Sequence, residues 1–167
     1  EAIWFIERKN KFAVETEDYH NASIGYLNLT EIALALGDLA GAERYIRQTL
    51  TYADRMDVGD DRRGIQCDLL MWMAWVAFLR GEISGEYEAI ALFSRAQELE
   101  RLIDFNKRYL YSIRGICHAD CLRRAGDPAT ARIITDINLV ICSEQGWQQN
   151  ISQCHRVLGD LDADSGQ

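Results

Sequence analysis

Proline is nearly missing from this chain: 167 residues hold one, Pro128. Proline breaks helices and central strands, so its scarcity leaves room for long uninterrupted helices and suits a turn-rich all-β chain poorly. Long apolar runs are lacking too. The longest, Leu69 to Leu79, is closed by Asp68 and Arg80, and its eleven residues are about half of what a membrane-spanning helix needs. Positive charge is short: 18 Lys and Arg stand against 26 Asp and Glu, for a net charge of −8. That balance argues against nucleic acid, whose phosphates call for clustered cations. The opening Glu1-Ala2-Ile3-Trp4 has neither the basic leader nor the small-residue cleavage site of a signal peptide. It also lacks an initiator methionine, so a piece of a longer chain is expected. No Gly-rich phosphate loop ending in Lys-Ser or Lys-Thr, no His-Glu-x-x-His and no Gly-x-Ser-x-Gly elbow occurs, and each would be needed for its chemistry. Neither catalysis nor a cofactor is expected.

What is present is a folded composition, with 48% apolar residues. Five cysteines, an odd number, sit inside apolar patterns at 67, 117, 121, 142 and 154. They read as reduced thiols of a cytoplasmic protein. Cys117 and Cys121 lie one helical turn apart around His118. With Cys154 and His155 they could hold zinc, although small apolar packing residues are the favoured reading.

The punctuation repeats. Leu36-Gly37-Asp38-Leu39, Arg80-Gly81-Glu82-Ile83, Ala125-Gly126-Asp127-Pro128 and Leu158-Gly159-Asp160-Leu161 each set an acid after a glycine, and the glycines stand 44, 45 and 33 residues apart. Glycine ends a helix in the left-handed conformation. The acid caps the next helix and favours its positive end, and Pro128 suits a first helical position. Small residues follow at Ala42, Ala89 and Ala131, the second after three extra residues, Ser84-Gly85-Glu86. Helices are expected over 1–15, 20–36, 39–56, 62–80, 86–103, 106–125, 128–145 and 148–158. No stretch alternates with period two, so the fold class is all-α.

These strings resemble the tetratricopeptide repeat (TPR) family. Tyr26, Leu29, Ala33, Gly37, Leu39, Ala42, Ile46 and Leu50 fall on its pattern, as do Ala89, Phe93, Ala96 and Leu99. Gly115 and Asn138 depart from it. The spacing is also longer than the usual 34 or so residues and is similar to the repeats of bacterial multidomain regulators. The resemblance implies a right-handed superhelical solenoid of antiparallel helix pairs: a partial repeat over 1–18, repeats over about 19–59, 60–104 and 105–146, and a partial repeat over 147–167.

It also implies a concave groove lined by the first helix of each pair. On the family's pattern the groove positions include Glu31, then Asp68, Met71, Trp75 and Phe78, then Asp120, Arg123 and Arg124, then Arg156, with Leu27, Leu34, Ile113, Gln149 and Gln153 beside them. An aromatic and methionine floor suits an apolar anchor, and arginines suit a carboxylate. The expected function is a non-catalytic protein–protein interaction module that binds a peptide or helix with an apolar anchor and an acidic flank. The alternative is a ligand-sensing or regulatory segment of a larger signalling or transcription-regulating protein, working against other domains of the same chain. Leu27, Glu31, Trp72, Ile113 and Cys117 occupy the positions where chaperone-tail binders carry Lys and Asn, so that partner is not expected. An array needs capped ends. The opening half-unit, and a tail read as lacking a complete closing helix, would offer apolar surface to a second copy.

Overall fold

In the computed structural model, which describes residues 2–83, 88–106 and 108–166, the first three glycine–acid strings end helices. Gly37, Gly81 and Gly126 take φ of 75°, 82° and 92°. At each, the residue after the glycine donates its N–H back to the carbonyl five residues earlier: Asp38 to Ala33, Glu82 to Ala77, Asp127 to Leu122. The glycine N–H itself reaches the carbonyl three residues back. This paired pattern satisfies carbonyls that a helix end leaves open. The Gly146 turn repeats it, and so does the turn at Glu17, a non-glycine residue held at φ 58°. Asp18, Asp38 and Asp127 then cap the following helices, accepting from the N–H of Asn21, Gly41 and Thr130 at 3.1, 2.8 and 3.0 Å.

Among the described residues there are eight helices and no strand: α1 (Ala2–Glu15), α2 (Tyr19–Ala35), α3 (Leu39–Ala53), α4 (Asp60–Leu79), α5 (Ala89–Ile103), α6 (Ser112–Arg124), α7 (Pro128–Gln145) and α8 (Gln148–Asp164). The pairs α2–α3, α4–α5 and α6–α7 pack most extensively, and α2, α4, α6 and α8 each touch the next in that series. Ala42, Ala89 and Ala131 are fully buried, as expected for small residues where two helices approach closely. The expected Ser84-Gly85-Glu86 insertion lies outside the described residues.

Two expectations are corrected. Gly159 does not end a helix: it lies inside α8, which runs on to Asp164. Glycine costs a helix interior about 1 kcal/mol against alanine. Burial of Val157 and Leu161 and the ion pairs of Asp160, Asp162 and Asp164 with Arg156, Arg132 and Arg123 offset it. Residues 148–164 therefore form one continuous helix rather than a helix followed by a turn. The second correction is α6, expected from residue 106 but beginning at Ser112. Leu110 is fully buried in a non-helical stretch, and its carbonyl accepts from Asn138 of α7.

Two cores result. One gathers α2 to α5 and one side of α6 around Met71, Trp72, Phe78 and Phe93. The other joins Ile116 and Ala119 of α6 to Ala131 and Ile134 of α7 and to Cys154, Val157 and Leu161 of α8. The apolar run of α4 is mostly buried, as a helix apolar on all sides requires. Trp4, Phe5 and Phe12 leave an aromatic face exposed on α1. No described helix is long and apolar enough to cross a membrane.

Candidate functional site

A cleft of about 210 Å³ lies where α2, α4, α6 and α8 come together. Glu31 and Leu34 reach it from α2, Trp72 and Trp75 from α4, Ile113 and Cys117 from α6, and Gln149, Gln153 and Arg156 from α8. Helical spacing explains the sharing: Glu31 and Leu34, Trp72 and Trp75, and Gln149, Gln153 and Arg156 stand three or four residues apart and so fall on one face. Trp75 is half-buried and stacks on Phe78, with ring centroids 4.7 Å apart. The guanidinium of Arg124 stands 5.2 Å above the Phe78 ring.

Of the residues expected in the groove, Glu31, Trp75 and Arg156 line this cleft, together with Leu34, Ile113, Gln149 and Gln153. The others do not. Met71 is 1% exposed and belongs to the core. Phe78 is also buried, and backs Trp75. Asp68 turns toward Arg114, 3.5 Å away. Asp120 is 3% exposed, and its two oxygens are taken by Arg123 at 3.1 Å and Arg156 at 3.0 Å. Arg123 also meets Asp160 and Asp164, and Arg156 meets Asp160 at 2.9 Å. Three carboxylates thus face two guanidiniums, so the arginine wall expected from the sequence is matched from within. The Asp120–Arg123 spacing of one helical turn carried part of that signal, but the acids of α8 were hidden by reading residues 158–161 as a turn. Arg124 makes no ion pair among the described residues.

Sequence reasoning missed a second polar cluster. Arg114 of α6 pairs with Glu100 of α5 at 2.9 Å, donates to the Cys67 sulfur at 3.4 Å and lies 4.7 Å from the Tyr111 ring. Glu100 is 2% exposed. Such a buried pair ties two helix pairs together, and removing one member would strand the other's charge. Nothing in the local pattern of α5 marks Glu100 as buried.

All five cysteines are free and buried. Cys117 and Cys121 join the first core and Cys154 the second, while His155 is exposed. The zinc candidate is thereby taken apart. No group of three or more His, Cys, Asp or Glu among the described residues is placed to hold a metal ion. Burial pushes the Cys117 thiol up, and those of Cys67 and Cys121 up to about 12. A nucleophilic cysteine needs the opposite shift. His118 stacks on Phe93 with centroids 4.9 Å apart, and burial pushes its pKa down to about 4, so it is neutral near pH 7.

Comparison with protein-family models, curated proteins and solved structures finds no match for this chain.

Proposed function

We propose that this chain is a non-catalytic protein-interaction module, a TPR-like superhelical array whose concave face is made by α2, α4, α6 and α8, and that it binds a peptide or helix by an apolar anchor seated against Trp75. One observation carries the reading: a single cleft receives side chains from all four of those helices. At about 210 Å³ it falls below the roughly 300–1,000 Å³ of small-molecule pockets. That size favours one inserted side chain over a whole ligand. Leu34, Trp75 and Ile113 supply apolar contact, while Glu31, Gln149 and Gln153 supply hydrogen-bonding groups at its edge. The acidic flank expected of the partner narrows to Arg124, since Arg123 and Arg156 already hold Asp120, Asp160 and Asp164.

Selection of peptides from a random displayed library on the immobilised chain tests this. Enriched peptides should share a large apolar residue with an acid nearby. Buried aromatic anchors dominate binding, so Trp75→Ala should weaken the selected peptides by about tenfold or more. Arg124→Gln should weaken those with the acid and spare those without it. Enrichment that ignores Trp75→Ala would overturn the groove.

A further inference from the structure

The non-helical stretch that ends at Tyr111 is where this molecule departs furthest from its own sequence pattern, and it is held in place at several points. Asn138 of α7 donates to the Leu110 carbonyl at 3.2 Å. Arg101 of α5 donates to the Arg108 carbonyl at 3.1 Å. Asn150 of α8 donates to the Ser112 hydroxyl at 2.7 Å, and Ser112 has φ 58°. Gly115 is the residue that lets the stretch approach: a Cβ there would lie 2.2 Å from the Leu110 oxygen and 2.3 Å from the Asn138 amide nitrogen. The two residues that break the repeat pattern, Gly115 and Asn138, are thus the ones that seat this stretch on α7. Backbone outside regular elements, held in place by a rigid scaffold, is where binding sites concentrate.

What the seating creates is a second cleft, of about 490 Å³, on the side of α7. Tyr109, Tyr111, Ile137, Ile141 and Trp147 wall it, and Arg108 lines it too. Its size and its mostly aromatic and aliphatic lining match pockets for small molecules. Among the described residues, Arg108 is its only charged lining residue. The guanidinium rests 5.4 Å from the Tyr109 ring and makes no ion pair among the described residues. Asn106 and Gln145 add amides. Flat aromatic walls select a flat ligand, an unmatched guanidinium selects an anion, and arginine's planar fork matches a carboxylate. We propose that this cleft binds a small planar aromatic carboxylate, at a site separate from the groove.

Isothermal titration with 2-naphthoate and with its neutral counterpart, 2-naphthamide, tests the assignment. Naphthoate should bind saturably at one site, tighter than the amide by roughly fivefold, as a half-exposed ion pair allows. Arg108→Gln, a surface change, should remove that difference. Ile137→Glu, at a position already 40% exposed, breaks the apolar wall and repels the carboxylate, and should lower naphthoate binding at least about tenfold with the helical circular dichroism unchanged. Phe5→Lys on the exposed aromatic face of α1 should change nothing. Equal affinity for acid and amide, absence of saturation, or loss of binding in Phe5→Lys would each overturn the proposal.

Discussion

Replacing Gly115 by alanine adds one methyl group to α6, where alanine would ordinarily strengthen the helix by about 1 kcal/mol. Here the methyl group would meet the Leu110 carbonyl oxygen at 2.2 Å and the Asn138 amide at 2.3 Å. The first contact is backbone, so the loop has to move rather than a flexible side-chain end. Overpacking of this kind costs about 1–3 kcal/mol. Retreat of Leu110 also breaks its hydrogen bond from Asn138, and a buried acceptor left unpaired costs about 1–3 kcal/mol more. Against the helix gain, the net loss is about 3 kcal/mol, a fall in Tm of roughly 6–12 °C for a chain of this length. Thermal unfolding followed by circular dichroism at 222 nm measures it. Gly64→Ala in α4, where an added Cβ meets nothing within 4 Å, is the matched control and should raise Tm by a few degrees. Adding Asn138→Ala to Gly115→Ala should recover only part of the loss, because the Leu110 oxygen remains in the way. If Gly115→Ala is as stable as the original chain, or gains in step with Gly64→Ala, the seating of the loop through Gly115 is refuted.

Two further outcomes follow from groups already described. Burial pushes the His118 pKa from its ordinary 6.5 down to about 4, so the unfolded chain takes up the proton first. Stability should therefore fall as pH drops from about 6.5 toward about 4, by up to roughly 3 kcal/mol. His118→Phe, which keeps a ring on Phe93, should flatten that part of the profile in urea titrations, and an unchanged slope would count against it. Glu17 holds φ 58° where the other turns of its kind use glycine. Left-handed backbone costs a side-chain-bearing residue about 1–2 kcal/mol, part of which glycine's looser unfolded chain takes back. Glu17→Gly should raise Tm by about 2–4 °C, and a lower Tm would show that the Glu17 side chain matters more than its backbone.

The parts of this fold that could be read from residues alone are those with local causes. Gly37, Gly81 and Gly126 act within a single turn, and Asp38 and Asp127 cap the helices that begin beside them. Ala42, Ala89 and Ala131 mark close helix approach because their size is itself the signal. Gly159 misleads for the same reason: it carries the local signature of a turn, but Leu161 and the acids of α8 find partners on other helices and keep the helix going. Residues 108–111 have helical composition, yet the loop wins because Asn138, far along the chain, donates to the Leu110 carbonyl. At the cleft, the resemblance to the repeat family, rather than periodicity alone, is what brought Trp75, Glu31 and Arg156 together in the reading. It could not tell that Asp120 turns inward and draws Arg123 after it, since which charge meets which is decided between helices.

Among the helices, α7 and α8 pack on each other and on α6 alone, while α6 lends Cys117 and Cys121 to one core and Ile116 and Ala119 to the other. The last two helices are therefore hung from a single strut. Cooperative opening of such a unit takes less than global unfolding, and it leaves α1 to α5 closed. Both clefts cross that boundary: Gln149, Gln153 and Arg156 of α8 complete one, and Ile137 and Ile141 of α7 wall the other. Whatever bridges α8 to α2, or wedges between α7 and the loop before α6, opposes the same opening.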